Sequence, residues 1–326
     1  MKKSIQRIGI ISLIIILAAS LMGCSLKSAP VSADHEGSIR LAIIQLVEHP
    51  ALDAAREGFL ETLKVNGYEE GKNLVVDYQN AQNDQSVLRP IAEKFAADKP
   101  DLILAIATPS AQAMAAATSD VPILITAVTD PVTAKLVNSL EKPGTNVTGT
   151  NDMNPIQEQM ELLVELVPQA QNVGVIYNAG EINSQVQVGI VKEVAAGLNL
   201  NIIEATVASS ADVLQAAQSL DGKVEAIYVP TDNTVVSAAD SVVQAANKIK
   251  VPIISGESSV VEAGGLATIG IDYQKLGAQT GEMALRVLKG SKPQDMPIES
   301  QKEFVVVINE EAAHLLGIEI PARLRK

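Results

Sequence analysis

From Ile39 onward the chain alternates apolar runs of roughly four to seven residues with segments of helical period, and this alternation restricts the fold more than any other feature. Leu102 to Ala107 is apolar at every position, as expected of a strand covered on both sheet faces. The stripe Leu52, Ala55, Phe59 and Leu63, closed by Gly67, predicts an amphipathic helix over 51–65. Strands are expected at 39–44, 74–78, 102–107 and 121–125, with helices between them and a short crossing segment at 146–149. A second series follows, with strands at 172–177, 201–205, 224–229, 251–254 and 266–271 and helices at 184–198, 211–220 and 235–249. A long helix at 272–289, a proline-interrupted connection, a strand at 304–308 and a helix from Glu310 close the chain. The fold class is therefore α/β, as two doubly wound parallel-sheet lobes joined by a multi-strand hinge. The lobes are expected at 38–150 plus 272–298 and at 151–271 plus 299–326.

The amino terminus carries its own signal. Lys2, Lys3 and Arg7 precede an apolar run from Ile8 to Leu21, shorter than a comfortable membrane span of about 20 residues. The run ends in Leu21-Met22-Gly23-Cys24, similar to a lipobox, with a small residue before a cysteine available for acylation. Residues 1–23 are expected to be a signal peptide, Cys24 the lipidation site and 24–37 a polar tether. An ordinary secretory signal and a membrane-spanning anchor are the alternatives. Cys24 is the only cysteine, which excludes an intramolecular disulfide framework. The net charge of −13 includes those three basic leader residues, so a processed chain stands at about −16 and repels phosphate backbones. Nucleic acid is not an expected partner.

In open parallel sheets, ligands bind at the carboxyl ends of the strands. The loops there are polar: Glu48-His49-Pro50, Thr108-Pro109-Ser110, Thr129-Asp130-Pro131, Asn151-Asp152, Glu181 to Ser184, Thr231-Asp232-Asn233 and Gly256-Glu257-Ser258. Helix N-termini at several of them can receive a carboxylate, and the neighbouring acids can hold an ammonium, which together suit a zwitterionic amino acid. For any one loop, an ordinary helix cap worth about 1 kcal/mol is the competing explanation. Tyr177 and Tyr228, at strand ends, could pack on a ligand side chain or serve the core. The absence of Trp counts against a stacked sugar.

Enzyme chemistry finds little support. Of three histidines, His35 lies in the tether, His314 in an expected terminal helix and His49 in a loop. The chain has no zinc-spaced Cys/His cluster, nucleophile elbow, phosphate-binding glycine loop or calcium loop, so neither a metal nor a cofactor is expected.

The chain resembles the ABC-transporter substrate-binding proteins of type I periplasmic-binding-protein fold, typified by a tryptophan-binding lipoprotein. The likeness rests on Gln45 to Asp53, Ala105 to Gln112, Val128 to Pro131, Pro143 to Gly149, Gly180 to Ser184, Pro230 to Thr234 and Gly270 to Tyr273. It implies a lipid-anchored receptor on the extracytoplasmic face of the membrane, acting as a monomer beside an ABC permease and its ATPase. The implied ligand is an aromatic or other apolar amino acid, and the mechanism hinge closure without catalysis. The resemblance further implies that Thr108, Ser110, Thr129 and Asp130 receive the ligand on one lobe. Asn183, Ser184, Asp232 and Glu257 would close from the other, with Glu48 and Asp152 beside the opening and the hinge. Ile182 would shape the side-chain slot. A lipoprotein presenting ligand to a sensor, without transport, is the alternative.

Overall fold

The computed structural model describes residues 37–325, so the expected signal peptide, Cys24 and all but the last residue of the tether lie outside the described residues. The first sheet has the order β11-β5-β4-β3-β1-β2. Its strands are β1 (Ile39–Gln45), β2 (Leu74–Asn80), β3 (Leu102–Ile106), β4 (Ile123–Val128), β5 (Val147–Asn151) and β11 (Glu299–Ser300), all parallel to their neighbours. Helices α1 (Pro50–Val65), α2 (Gln85–Asp98) and α3 (Thr108–Ala117) make the crossovers.

The second sheet has the order β12-β10-β9-β8-β6-β7, built from β6 (Asn172–Asn178), β7 (Asn201–Val207), β8 (Ala226–Val229), β9 (Ile253–Ser255), β10 (Ala267–Gly270) and β12 (Val305–Ile308). Only β12 runs antiparallel. Its helices are α4 (Ile156–Leu166), α5 (Ile182–Gly197), α6 (Val213–Gln218), α7 (Asn233–Val236), α8 (Ala239–Ile249), α9 (Ser258–Glu262) and, after the long α10 (Tyr273–Leu288) of the first lobe, α11 (Glu310–Leu316). Alternate β6 residues feed the two faces of this sheet: Val175 and Tyr177 enter one core cluster, Ile176 the other.

The chain crosses between lobes three times. Glu299 and Ser300 pair with Thr150 and Asn151 of β5, so the last crossing falls at 301–304 and not after residue 298. Asn151 likewise ends a first-sheet strand instead of opening the second lobe. The ladder continues past the expected boundary because β5 offers an unpaired edge. Two further differences have local causes. Ser237 Oγ donates to the Thr234 carbonyl, and the expected helix over 235–249 breaks there into α7 and α8. Helix α4, absent from the expected order, was written in the stripe Ile156, Met160, Leu163 and Val167, all buried.

Helix α10 returns to the first lobe and crosses α1 at glycines. A methyl group on Gly277 would lie 1.9 Å from the Ala55 carbonyl oxygen, and one on Gly58 would lie 2.0 Å from that of Gln274. This close crossing fixes the chain segment that begins at Tyr273, beside the hinge.

Candidate functional site

The carboxyl-terminal strand tips of both sheets meet around a narrow cavity of about 300 Å³, counting all space between protein atoms. Its lining comes from both lobes: His49, Ala51, Leu52, Ala127, Thr129 and Asp152 from the first lobe and first crossing, Asn183, Thr231, Asp232, Asn233, Val236 and Glu257 from the second, and Tyr273 just past the second crossing. Larger grooves exist elsewhere, but this one gathers buried polar atoms that lack partners. Only about 10 Å³ of it is open to a water-sized sphere, room for about one water, so a ligand needs the lobes or side chains to part.

Two alanines mark the site by their backbones. Ala107 and Ala127 have φ of +77° and +54°, a region that costs a side-chain-bearing residue about 1–2 kcal/mol. Ala107 turns the chain from β3 into α3, and Ala127 lies at the cavity wall.

Among the described residues, the buried side-chain atoms without a hydrogen-bond partner all belong to strand-tip loops or to the first turns of the helices that follow them. They are both imidazole nitrogens of His49, the hydroxyls of Thr108 and Ser110, and Oδ1 of Asp152, Asn154 and Asn183, with Oε2 of Glu257. Such groups are rare in folded interiors because each unsatisfied one costs about 1–3 kcal/mol. They sort by chemistry. The two hydroxyls sit in the first turn of α3, where free backbone N–H groups and the positive dipole end favour an anion. The four amide and carboxylate oxygens can only accept. No Lys or Arg lines the cavity among the described residues.

Asp152 and Asn154 at the first crossing, Tyr273 at the second and Glu257 of the second lobe form the acceptor-rich side. The Tyr273 hydroxyl donates to Asp152 Oδ2 at 2.8 Å and leaves Oδ1 free. Glu257 receives the Ser259 hydroxyl on Oε1 and keeps Oε2 free. Burial pushes Glu257 up to about 7, partly opposed by its bonds from Ser259 and Val260. Burial also raises Asp152, against the pull of the Tyr273 hydroxyl. Tyr273 itself is pushed well above its ordinary value, by burial first and then by the charges of Asp152 and Glu257. Desolvation lowers His49 to about 4, so this buried imidazole is neutral; the neighbouring Asn233 offsets only part of the shift, its geometry falling short of a hydrogen bond.

The carboxylates of the second lobe behave differently. Asp232 accepts from the Val235 amide on one oxygen and, at 2.6 Å each, from the Asn178 amide and Ser184 hydroxyl on the other. Burial and the nearby Glu181 push it up to about 7. Glu181 accepts from Asn183, from the amide and side chain of Asn233, and from the amide and hydroxyl of Thr234. Both acids therefore organise the loops around α7, with their oxygens already engaged.

The structure thus brings Thr129, Asp152, Asn183, Asp232 and Glu257 to the cavity, with Ser184 one bond behind Asp232. Thr108 and Ser110 are buried at the start of α3, outside the lining itself. Asp130 does not reach it: its carboxylate caps the turn at Val132 and Thr133. Glu48 is exposed and faces the Tyr78 hydroxyl at 3.4 Å. Tyr177 and Tyr228 belong to the second-lobe core, bonded to Glu204 and Gln159. Ile182 does not line the slot either and packs on the first-lobe core instead. Polar cavity residues left out of the candidate set are His49, Thr231, Asn233 and Tyr273, with Asn154 beside them. The first three lie in the strand-tip loops already singled out, whereas Asn154 and Tyr273 follow the strands that lead into the lobe crossings, a position only the sheet order defines. Among the described residues no trio of His, Cys, Asp or Glu is arranged to hold a metal.

Two parallel-sheet α/β lobes whose strand tips close on a polar cavity define a solute receptor of the periplasmic-binding-protein type. The chain belongs to the family of ABC transporter substrate binding proteins, whose model matches residues 40–326. A tyrosine-binding protein of Clostridioides difficile is 46% identical over 319 residues, covering 95% of this chain and 92% of its own. A crystallised domain from Streptococcus pneumoniae in complex with L-Trp is 38% identical with a TM-score of 0.86, over 88% of this chain and 97% of its own. A substrate binding protein with adhesive properties from Clostridium difficile, in its ligand-free, open structure, is 49% identical, yet its TM-score is 0.67 over 87% of this chain and 96% of its own. The more identical chain superposes less well, as expected when lobes of the same fold are set at a different angle.

Proposed function

We propose that the protein is a lipid-anchored extracytoplasmic receptor that captures an aromatic amino acid and delivers it to an ABC importer. One observation carries the ligand class. The unpaired polar atoms separate into an anion-favouring α3 terminus with Thr108 and Ser110, and an acceptor cluster at Asp152, Asn154 and Glu257. A zwitterion satisfies both. Its carboxylate would take the hydroxyls and backbone amides, and its ammonium the free carboxylate oxygens, by charge-assisted bonds. Ala51, Leu52, Ala127 and Val236 leave apolar wall for a flat side chain. The ligands of the relatives, tyrosine and L-Trp, support the same class.

Binding acts by population shift: a ligand touching both lobes favours the closed arrangement by its differential affinity for it. Chemistry on the ligand is not part of this role. The lipobox-like segment supports anchoring through Cys24, with the folded part acting as a monomer.

The chain has no Trp, so a bound indole can be observed alone. Titrating residues 25–326 with L-tryptophan, and competing with tyrosine, phenylalanine and sugars, tests the proposal. Saturable binding displaced by aromatic amino acids is expected. Binding of sugars alone would remove it.

A further inference from the structure

The lobes also touch across the cleft through residues outside the cavity lining. Ile182, the first residue of α5 in the second lobe, packs on the core cluster of the first lobe. Asn83, in the first-lobe loop between β2 and α2, donates from Nδ2 to Thr234 Oγ1 of α7 at 3.4 Å. Neither residue lines the ligand cavity. Both bonding partners are held in advance. Gln82 and Asn83 are consecutive residues of positive φ, fixed by bonds from the Gln82 amide to Asn80 and from the Asn83 amide to the Leu46 carbonyl. Thr234 is already tied to Asn178 and Glu181. A strained loop held in place to present one amide side chain over a gap has more structure than a connection needs.

We propose that Ile182 and Asn83 form a latch at the cleft mouth that sets how long the closed lobes stay closed, whatever ligand is inside. The assignment rests on the receptor function proposed above. The physical argument is one of position. A contact formed only when the lobes meet, and not with the ligand, adds the same stabilisation to every closed complex. It therefore lengthens the dwell of all ligands in proportion and leaves their ranking untouched. Ile182 supplies most of this through its apolar contact, and the long Asn83 bond the lesser part. A ligand-recognising residue would instead change the ranking.

Ile182→Ala, Asn83→Ala and the double variant test this, with L-tryptophan as fluorescent probe and L-tyrosine as competitor. The double variant should release tryptophan about tenfold faster, with association changed by less than about twofold. The ratio of tyrosine to tryptophan affinity should match the wild type. Small-angle scattering of the ligand-free proteins should show the double variant more open than the wild type. An unchanged release rate, an altered tyrosine-to-tryptophan ratio, or identical ligand-free scattering would each overturn the latch. A wild type that binds neither amino acid would defeat the receptor proposal instead, and the scattering comparison would still decide the latch.

Discussion

Replacing Glu257 with Gln separates ligand recognition from folding in a single substitution. The carboxyl is raised from 4.5 to about 7 by burial, so the ligand-free pocket disfavours its ionised form by about 3 kcal/mol. Its Oε1 is engaged by Ser259 and its Oε2 is free. An ammonium placed against Oε2 supplies the missing countercharge and recovers much of that energy. Gln keeps the shape and the acceptor for Ser259 but removes the charge. Affinity for tyrosine or tryptophan should fall by about 2–3 kcal/mol, roughly 30- to 150-fold in Kd. The sign for the ligand-free protein is opposite. A carboxyl with a raised folded-state pKa contributes stability below 4.5 that is lost as pH climbs through 7, and Gln removes that loss. At pH 8 the ligand-free variant should therefore unfold no earlier than the wild type. Calorimetric titration and thermal unfolding, run on the same samples, measure both. Affinity within about twofold of the wild type, or a ligand-free variant that melts several degrees lower at pH 8, would refute the reasoning.

Further expectations concern neighbouring features. Wild-type affinity should rise about tenfold from pH 6 to pH 8 as Glu257 ionises, and Glu257→Gln should flatten the profile; titrations across that range check it. His49, lowered to about 4, contributes stability present above pH 6.5 and lost as pH falls toward 4, by up to about 3 kcal/mol. Denaturant midpoints of the ligand-free wild type and His49→Gln should therefore converge on acidification through that window. Gly277→Ala, favourable by helix propensity, should destabilise by at least about 2 kcal/mol because its methyl group meets the Ala55 carbonyl; urea unfolding reads this directly. Cys24→Ser should abolish acylation by labelled palmitate and shift the protein from membrane to medium.

Much of the architecture was legible in the residues. The continuous apolar run of β3 required two covered faces, and the strand–helix alternation required parallel sheets. The polar strand-tip loops of both lobes meet at one cavity, because the loops after parallel strands all lie at the same end of their sheet. Sequence could not distinguish acids that are free from acids already engaged. Asp130, Asp232 and Glu257 all sit at strand tips before a helical turn, yet Asp130 caps its own turn, Asp232 is consumed by Asn178, Ser184 and Val235, and Glu257 keeps an oxygen free. That difference depends on partners about 50 residues away in the chain, such as Asn178 and Ser184 for Asp232. The same holds for Tyr273, brought to the cavity by the second hinge crossing, and for Ile182, whose contact exists only once two separate cores meet. Local pattern determines elements and faces, since it acts over a few residues. Pairing between distant segments decides which polar atoms remain available, since only tertiary packing brings the competing donors into reach.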